Sequence, residues 1–261
     1  FLVNTHGDPD HAAGNCLLPR AERIMAVGAA RQYEGFFKRG GGLPAAPPWE
    51  FTRLMAELNF ERFERGGLEY LAPTRTFSGR LDLQVGGAAV HLVEFGPAHT
   101  KSDTVVHVPA DGVVYAGDLM FCQCHPVMGH APVAHWVRAF DALLSWDAEV
   151  FVPGHGPVCG RAEVQRHRDY VLFIEDEARR RHARGMDVDT AALDIFENLG
   201  QFAYLLRADT LRKNVNVLYH TFEGREMSEN FVAHSVERMR FRDRIRGRAP
   251  GIHVDHVPDG N

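Results

Sequence analysis

The sequence predicts an α/β layered architecture, and three observations carry that prediction. Helical and strand-like apolar patterns alternate along the chain. Several strand-length apolar runs end in glycine-containing turns that present a histidine or an aspartate. The 261 residues, 45% of them hydrophobic, suffice for one large core, or for one domain with an appendage.

Taken in order, residues 1–4 read as a buried strand. The heptad Thr5-His6-Gly7-Asp8-Pro9-Asp10-His11 follows as a loop, because Gly7 and Pro9 interrupt any regular repeat. A short helix starts in 12–15, and a strand over 23–27 leads to a helix over 29–37. The loop 38–48, with Gly40, Gly41, Gly42, Pro44, Pro47 and Pro48, suits either a lid or a plain surface excursion. Helical spacing of Phe51, Leu54, Met55 and Leu58 predicts a helix over 49–63 packed against the sheet.

From residue 68 the period changes. Phe77, Leu81, Leu83 and Val85, the turn Gly86-Gly87, then Val90, Leu92 and Val93 predict a hairpin with His91 facing solvent. Residues 104–108 and 112–116 predict a second hairpin around Pro109-Ala110-Asp111. An amphipathic helix over 134–145, a strand over 149–152 and a long helix over 163–185 follow. Helices over 190–199 and 208–222 come next, and 227–261 reads as a helix fading into a loosely held end. The expected division is 1–185 for the layered domain and 186–261 for a helical C-terminal extension.

Charge and composition narrow the function classes. A net charge of -5 and a pI near 6.3 give no polybasic field, which argues against nucleic acid or an anionic membrane surface and for a small-molecule substrate. No apolar run reaches the length of a membrane span. Cys16, Cys122, Cys124 and Cys159 form no disulfide framework, so reduced thiols and a cytoplasmic location are expected. The chain begins at Phe1, without an initiator Met and inside an apparent strand, so its true N-terminus is expected to lie upstream.

The heptad gathers His6, Asp8, Asp10 and His11 in six residues. Alone, it suits a solvated turn as well as a metal loop. Three further ligand-type residues shift the balance: His99 after Gly96-Pro97-Ala98, Asp118 after Ala116-Gly117, and His155 after Pro153-Gly154. Imidazoles and carboxylates suit borderline and hard divalent ions such as Zn²⁺, Fe²⁺ or Mn²⁺, and no Cys falls at these positions to select a softer metal.

In order and local context, His6-x-Asp8-x-Asp10-His11, Gly-Pro-Ala-His99-Thr, Ala-Gly-Asp118-Leu and Pro-Gly-His155-Gly resemble the metallo-β-lactamase superfamily of metal-dependent hydrolases. The resemblance runs from Phe1 to about Tyr170. It implies a four-layer αββα sandwich with a two-metal site at the edge between its sheets. It further implies that one metal takes His6, Asp8 and His99, the other Asp10, His11 and His155, with Asp118 bridging. Two such cations lower the pKa of a shared water enough to supply hydroxide for attack on an ester, thioester, lactone or amide, with Asp10 as the catalytic residue that orients the nucleophile.

This chain departs from the superfamily's commonest pattern at Asp8, where histidine is usual. A carboxylate there shifts preference from zinc, the metal expected on family grounds, toward iron or manganese. It also keeps a diiron-type oxidoreductase open as an alternative, beside a metal-poor scaffold. The superfamily normally places several strands ahead of the His-rich loop, and only residues 1–5 precede it here, so either the numbered chain is a fragment or those strands are absent from it, and an open sheet edge would result if nothing replaced them. A homo-oligomer is compatible with all of this.

Other residues carry less. Cys122-Gln123-Cys124-His125 is expected to pack rather than bind metal, and His125, His130 and His135 to be surface residues, one of which could touch substrate. Thr100 and Asp103 suit either turn formation or the fixing of imidazole tautomers. The basic run 238–248 is expected to be a solvated helix face.

Overall fold

Two β-sheets organise the first part of the chain. Strands β1 (Leu2–Val3), β2 (Arg23–Ala26) and β3 (Arg75–Phe77) form a parallel sheet in that order. Strands β4 (Arg80–Val85), β5 (Ala88–Phe95), β6 (Asp103–Val108), β7 (Val113–Phe121) and β8 (Val150–His155) form the other, also in sequence order. Its pairings are antiparallel up to β7, and β8 joins β7 in parallel after a crossover carrying a helix. The computed structural model describes residues 1–39, 48–57, 67–130, 132–226, 231–246 and 248.

Local sequence explains the elements. The β4–β5 hairpin closes on Gly86 and Gly87 at φ +57° and +88°, the left-handed pair that a tight two-residue turn requires. Helix α1 (Pro9–Ala12) starts on a proline, whose missing N–H costs nothing at a first turn. Helix α2 (Val27–Lys38) runs straight out of β2, and β2 is buried on both faces, between α2 and the second sheet. Ile24, Met25 and Phe77 pack with Leu83, Leu92, Ala29 and Tyr33, so the core fills the space between the sheets. Helix α4 (Val133–Ser145) buries Trp136, Ala139, Phe140 and Leu143, a stripe at helical spacing. Truncating such an aromatic to alanine would cost about 3–5 kcal/mol.

Contacts divide the chain into two compact units. One comprises Phe1–Pro44, Arg65–Cys122 and Val133–Arg168, and it holds both sheets. The other comprises Ala45–Glu64, Gln123–Pro132 and Asp169–Asn261. Helix α5 (Arg161–Ala183) begins in the first and continues in the second. Among its described residues the second unit also holds the helices α3 (Trp49–Glu57), α6 (Val188–Glu197), α7 (Leu211–Phe222) and α8 (Phe231–Ile245). Asp187 caps α6, its carboxylate accepting the Thr190 N–H at 2.9 Å. No helix among the described residues is long and apolar enough to cross a membrane.

Several expectations need correction. Phe77 is not part of the hairpin but ends β3, in the other sheet, because Ser78-Gly79 breaks the run and Gly79 takes a positive φ. Helix α3 packs against α8, with Phe51 and Phe231 rings 5.9 Å apart and Arg53 paired to Asp243. His91 is only partly exposed and lies 2.7 Å from Asp82 across the hairpin. His125 is not a surface residue: it is fully buried and shares a 2.7 Å hydrogen bond with Tyr170. The basic run is not wholly solvated, since Arg242 is buried and Arg238 pairs with buried Asp209. The glycine-rich part of loop 38–48, residues 58–63 of the expected helix and the tail beyond 248 lie outside the described residues.

Candidate metal centre

The site is built from the loop after β1, the turn after β5, and β7 and β8. Asn4 and Asn15 exchange amide hydrogen bonds of 3.0 and 2.9 Å, and Asn4 also donates to the His11 carbonyl at 2.9 Å. These bonds tie the base of the heptad to the turn after α1. Thr104 N–H donates to the Thr5 carbonyl at 2.6 Å, so β6 holds the loop from the other side. The close approach needs Gly7, where a Cβ would stand 2.4 Å from the Ala29 carbonyl oxygen of α2.

His155 and Asp118 are not placed as expected. β8 extends through Pro153-Gly154, and His155 is its last residue. Asp118 lies within β7 rather than at its end, just past Gly117, whose φ of +53° accompanies an irregularity in the β7–β8 pairing. That kink turns the Asp118 carboxylate toward the heptad, where its Oδ2 lies 3.3 Å from both His99 Nε2 and His155 Nε2 and 3.9 Å from His6 Nε2. Its Oδ1 lies 3.2 Å from His11 Nε2.

Every sequence-predicted site residue converges here. His6, Asp8 and His99 offer three ligand-type atoms within 4.8 Å of one another, as do Asp10, His11 and His155, and His6, His11 and Asp118 form a third such group. Asp118 thus stands between the two outer groups. The His6, His99 and Asp118 side chains are 1%, 6% and 4% exposed, while Asp10, Asp8 and His155 at 47%, 34% and 32% open to solvent. Each donor group thus has a carboxylate in contact with solvent, Asp8 in one and Asp10 in the other.

Electrostatics follow from this crowding. Burial raises the Asp8 carboxyl, but the hydrogen bond from His99 and the charges of His99 and His6 outweigh it and bring it to about 2. Asp118 is likewise held well below the usual carboxylate range by His99, His11 and His155. Asp10 is lowered against its burial by His155 and His11. Burial and the neighbouring His99 push His6 down to about 4. The same carboxylates push His99 up to about 10 and His155 up to about 9 against their burial, so protons on these imidazoles offset the three carboxylates around a neutral His6, a place that a divalent cation would take.

His6 supplies a direct test of fit. Thr5 Oγ1 occupies its Nδ1 at 3.0 Å, and its Nε2 is buried with no hydrogen-bond partner among the described residues. An unpaired buried nitrogen is costly, and a cation among His6, Asp8 and His99 would satisfy it. The residues present fit a metal.

Some neighbours were legible in the sequence and some were not. Asp103 accepts from the Thr100 N–H at 3.0 Å and its hydroxyl at 2.7 Å, forming the turn that carries His99. His135 Nδ1 lies 3.1 Å from the Pro97 carbonyl, against the same turn. Sequence reasoning missed Asn4, Asn15 and Gln32, the last of which donates to Asp8 Oδ1 at 2.5 Å. Only the position of Asn4 at a strand end hinted at a role; nothing marked Gln32. Cys16, Cys122, Cys124 and Cys159 form no disulfide.

The chain is similar to known proteins in sequence and in fold. The family model of the metallo-beta-lactamase superfamily matches residues 1–155. The chain is 27% identical over 175 residues to a linear primary-alkylsulfatase of Pseudomonas sp. (strain ATCC 19151), covering 61% of this chain and 33% of that protein. It is 29% identical over 206 residues to the 2,4-dinitroanisole O-demethylase subunit alpha of Nocardioides sp. (strain JS1661), covering 78% and 53%. The chain therefore spans between a third and about half of the length of these relatives. Among solved structures, the inverting sec-alkylsulfatase Pisa1 from Pseudomonas sp. superposes with a TM-score of 0.61 at 16% identity, over 85% of this chain and 41% of that one. A beta-lactamase domain protein from Burkholderia ambifaria gives 0.56 at 17% identity, over 87% and 71%. With the family model covering more than half of its length, the chain belongs to the metallo-beta-lactamase superfamily.

Proposed function

We propose that this chain is a dinuclear metal-dependent hydrolase that cleaves an ester, thioester, lactone or amide bond of a small molecule. The observation that carries the proposal is the placement of two His/Asp donor groups on either side of the Asp118 carboxylate. His6, Asp8 and His99 would hold one cation and Asp10, His11 and His155 the other, with Asp118 shared. Zinc is expected on family grounds, with iron or manganese favoured by the charge of Asp8. Bound there, the cations supply Lewis acidity and lower the pKa of water toward neutrality.

The chain's own residues do the rest. Asp118, buried and ionised, draws His99, His11 and His155 to one point and fixes their spacing. Asp10 is the most solvent-accessible carboxylate of the site, and its Oδ2 lies 3.5 Å from both His11 Nε2 and His155 Nε2. It is placed to orient a nucleophile and to carry a proton between the site and solvent. The Phe121 ring, stacked on His155 at 5.1 Å, keeps that imidazole facing the carboxylates. Residues 1–185 would form the hydrolytic domain and 186–261 its helical extension.

The relatives suggest which bonds to try first, one being named for an alkyl sulfate and the other for an O-methyl group. Elemental analysis of the purified protein, then a panel of carboxylic, thio-, lactone, amide and sulfate esters with an O-methyl ether, tests the proposal. Two bound metals and hydrolysis of a panel member are expected. A second reading, a diiron-type oxidoreductase, draws on the ionised Asp8 within the first donor group. Stoichiometric metal with no hydrolysis, but O₂ consumption with a reductant, would favour it. A protein that stays nearly metal-free when Zn²⁺, Fe²⁺ or Mn²⁺ is offered would instead be a scaffold.

A further inference from the structure

Asp8 has two carboxylate oxygens, and the fold treats them differently. Its Oδ2 faces the site, 3.1 Å from His99 Nε2 and 3.7 Å from His6 Nε2. Its Oδ1 faces away, toward α2, where the Gln32 side-chain amide donates to it at 2.5 Å. A carboxylate only accepts, so the Gln32 amide must present its nitrogen to Asp8. The contact also has a rigid base. Gly7 presses the loop onto α2 so closely that a Cβ there would stand 2.8 Å from Tyr33 N and 2.9 Å from Gln32 Cβ. Asp8 in turn caps α1, its carbonyl accepting from the Ala12 N–H at 3.0 Å.

We propose that Gln32 is a positioning residue for the first metal site: by holding Asp8 Oδ1 from α2, it leaves only Oδ2 to face a cation shared with His6 and His99. This rests on the reading of Asp8 as a ligand. Free of Gln32, the side chain could turn about its χ angles, or offer both oxygens and change the coordination number. A helix that carries no ligand thereby sets how the atypical carboxylate is presented.

The test uses the full chain, stripped of metal and reloaded with Co²⁺ and with Zn²⁺. The affinity of each cation is read by competition with a chromogenic chelator, and the coordination by the visible Co²⁺ spectrum. Circular dichroism and melting temperature verify folding in each variant. Gln32→Ala is expected to weaken one of the two cations by about 10–100-fold and to alter the Co²⁺ spectrum, as loss of a hydrogen bond to a ligand does. Gln32→Met, nearly the same length but with no hydrogen-bond donor, should lose as much. Wild-type affinities and spectra in both variants overturn the proposal, and so does full retention in Gln32→Met alone, which would assign Gln32 to packing. Asp8→Ala separates the two levels. If Asp8→Ala also leaves both cations unchanged, the assignment of Asp8 as a ligand has failed; if it releases one while the Gln32 variants do not, only the role of Gln32 has.

Discussion

Gly154 stands so close to Asp118 that a β-carbon on it would lie 1.9 Å from Asp118 Oδ1 and 2.9 Å from the Gly117 carbonyl carbon. Space, not backbone freedom, is what position 154 requires. Gly154→Ala is therefore expected to displace the Asp118 carboxylate, lowering metal content and destabilising the fold by about 1–3 kcal/mol. Elemental analysis and denaturant unfolding check both. Gly14→Ala, with nothing within 4 Å of the added carbon, is the matched control and should keep its metal.

Removing the carboxylate itself should be more severe. Asp118→Ala leaves His6, His11, His99 and His155 around an empty centre, since each now lies within 3.9 Å of an Asp118 oxygen. Metal affinity is expected to fall by more than about 100-fold, beyond the usual effect of losing an outer partner. Hydrolysis of the best panel substrate should fall with it. Retention of two metals in this variant would remove Asp118 from the ligand set.

Asp8 is expected to set metal preference in the proposed site. Asp8→His replaces a hard anionic donor by a neutral imidazole and should shift selectivity toward Zn²⁺ relative to Mn²⁺. Competition between the two ions for the metal-free wild type and variant, read by elemental analysis, gives the shift directly. Equal selectivity in both proteins would show that Asp8 does not decide the metal.

His125 makes the second unit sensitive to acid. Burial brings its pKa down from 6.5 to about 3. The unfolded chain therefore binds a proton at His125 between those values while the native chain does not. Stability is expected to be intact above pH 6.5 and to fall as pH drops toward 3, with a slope approaching about 1.4 kcal/mol per pH unit from this residue. Denaturant melts at pH 7 and pH 5 measure it, and His125→Asn, which keeps a partner for the Tyr170 hydroxyl without a titrating group, should flatten the slope.

The residues of the candidate site were legible because their signal is local. His6 to His11 lie in one heptad, and His99, Asp118 and His155 each follow a glycine close to an apolar run, a pattern visible without knowing what they meet. Strand and helix order was legible for the same reason, as in α4 and the β4–β5 hairpin, where apolar period and turn glycines agree. The misplacements come from non-local contacts. Phe77 reads as hairpin but pairs with Ala26, and His125 reads as exposed until Tyr170, 45 residues on, closes over it.

By itself, the sequence determined the family, the donor types and the departure at Asp8, since these depend on residue identity and short spacing. Only the tertiary structure decided that Asp118 lies between two donor groups, that Gly154 must lack a side chain, and that Gln32 holds the far oxygen of Asp8. Each of those depends on distances of a few ångströms between residues far apart in the chain. Packing sets such distances, and no local pattern in the sequence encodes them.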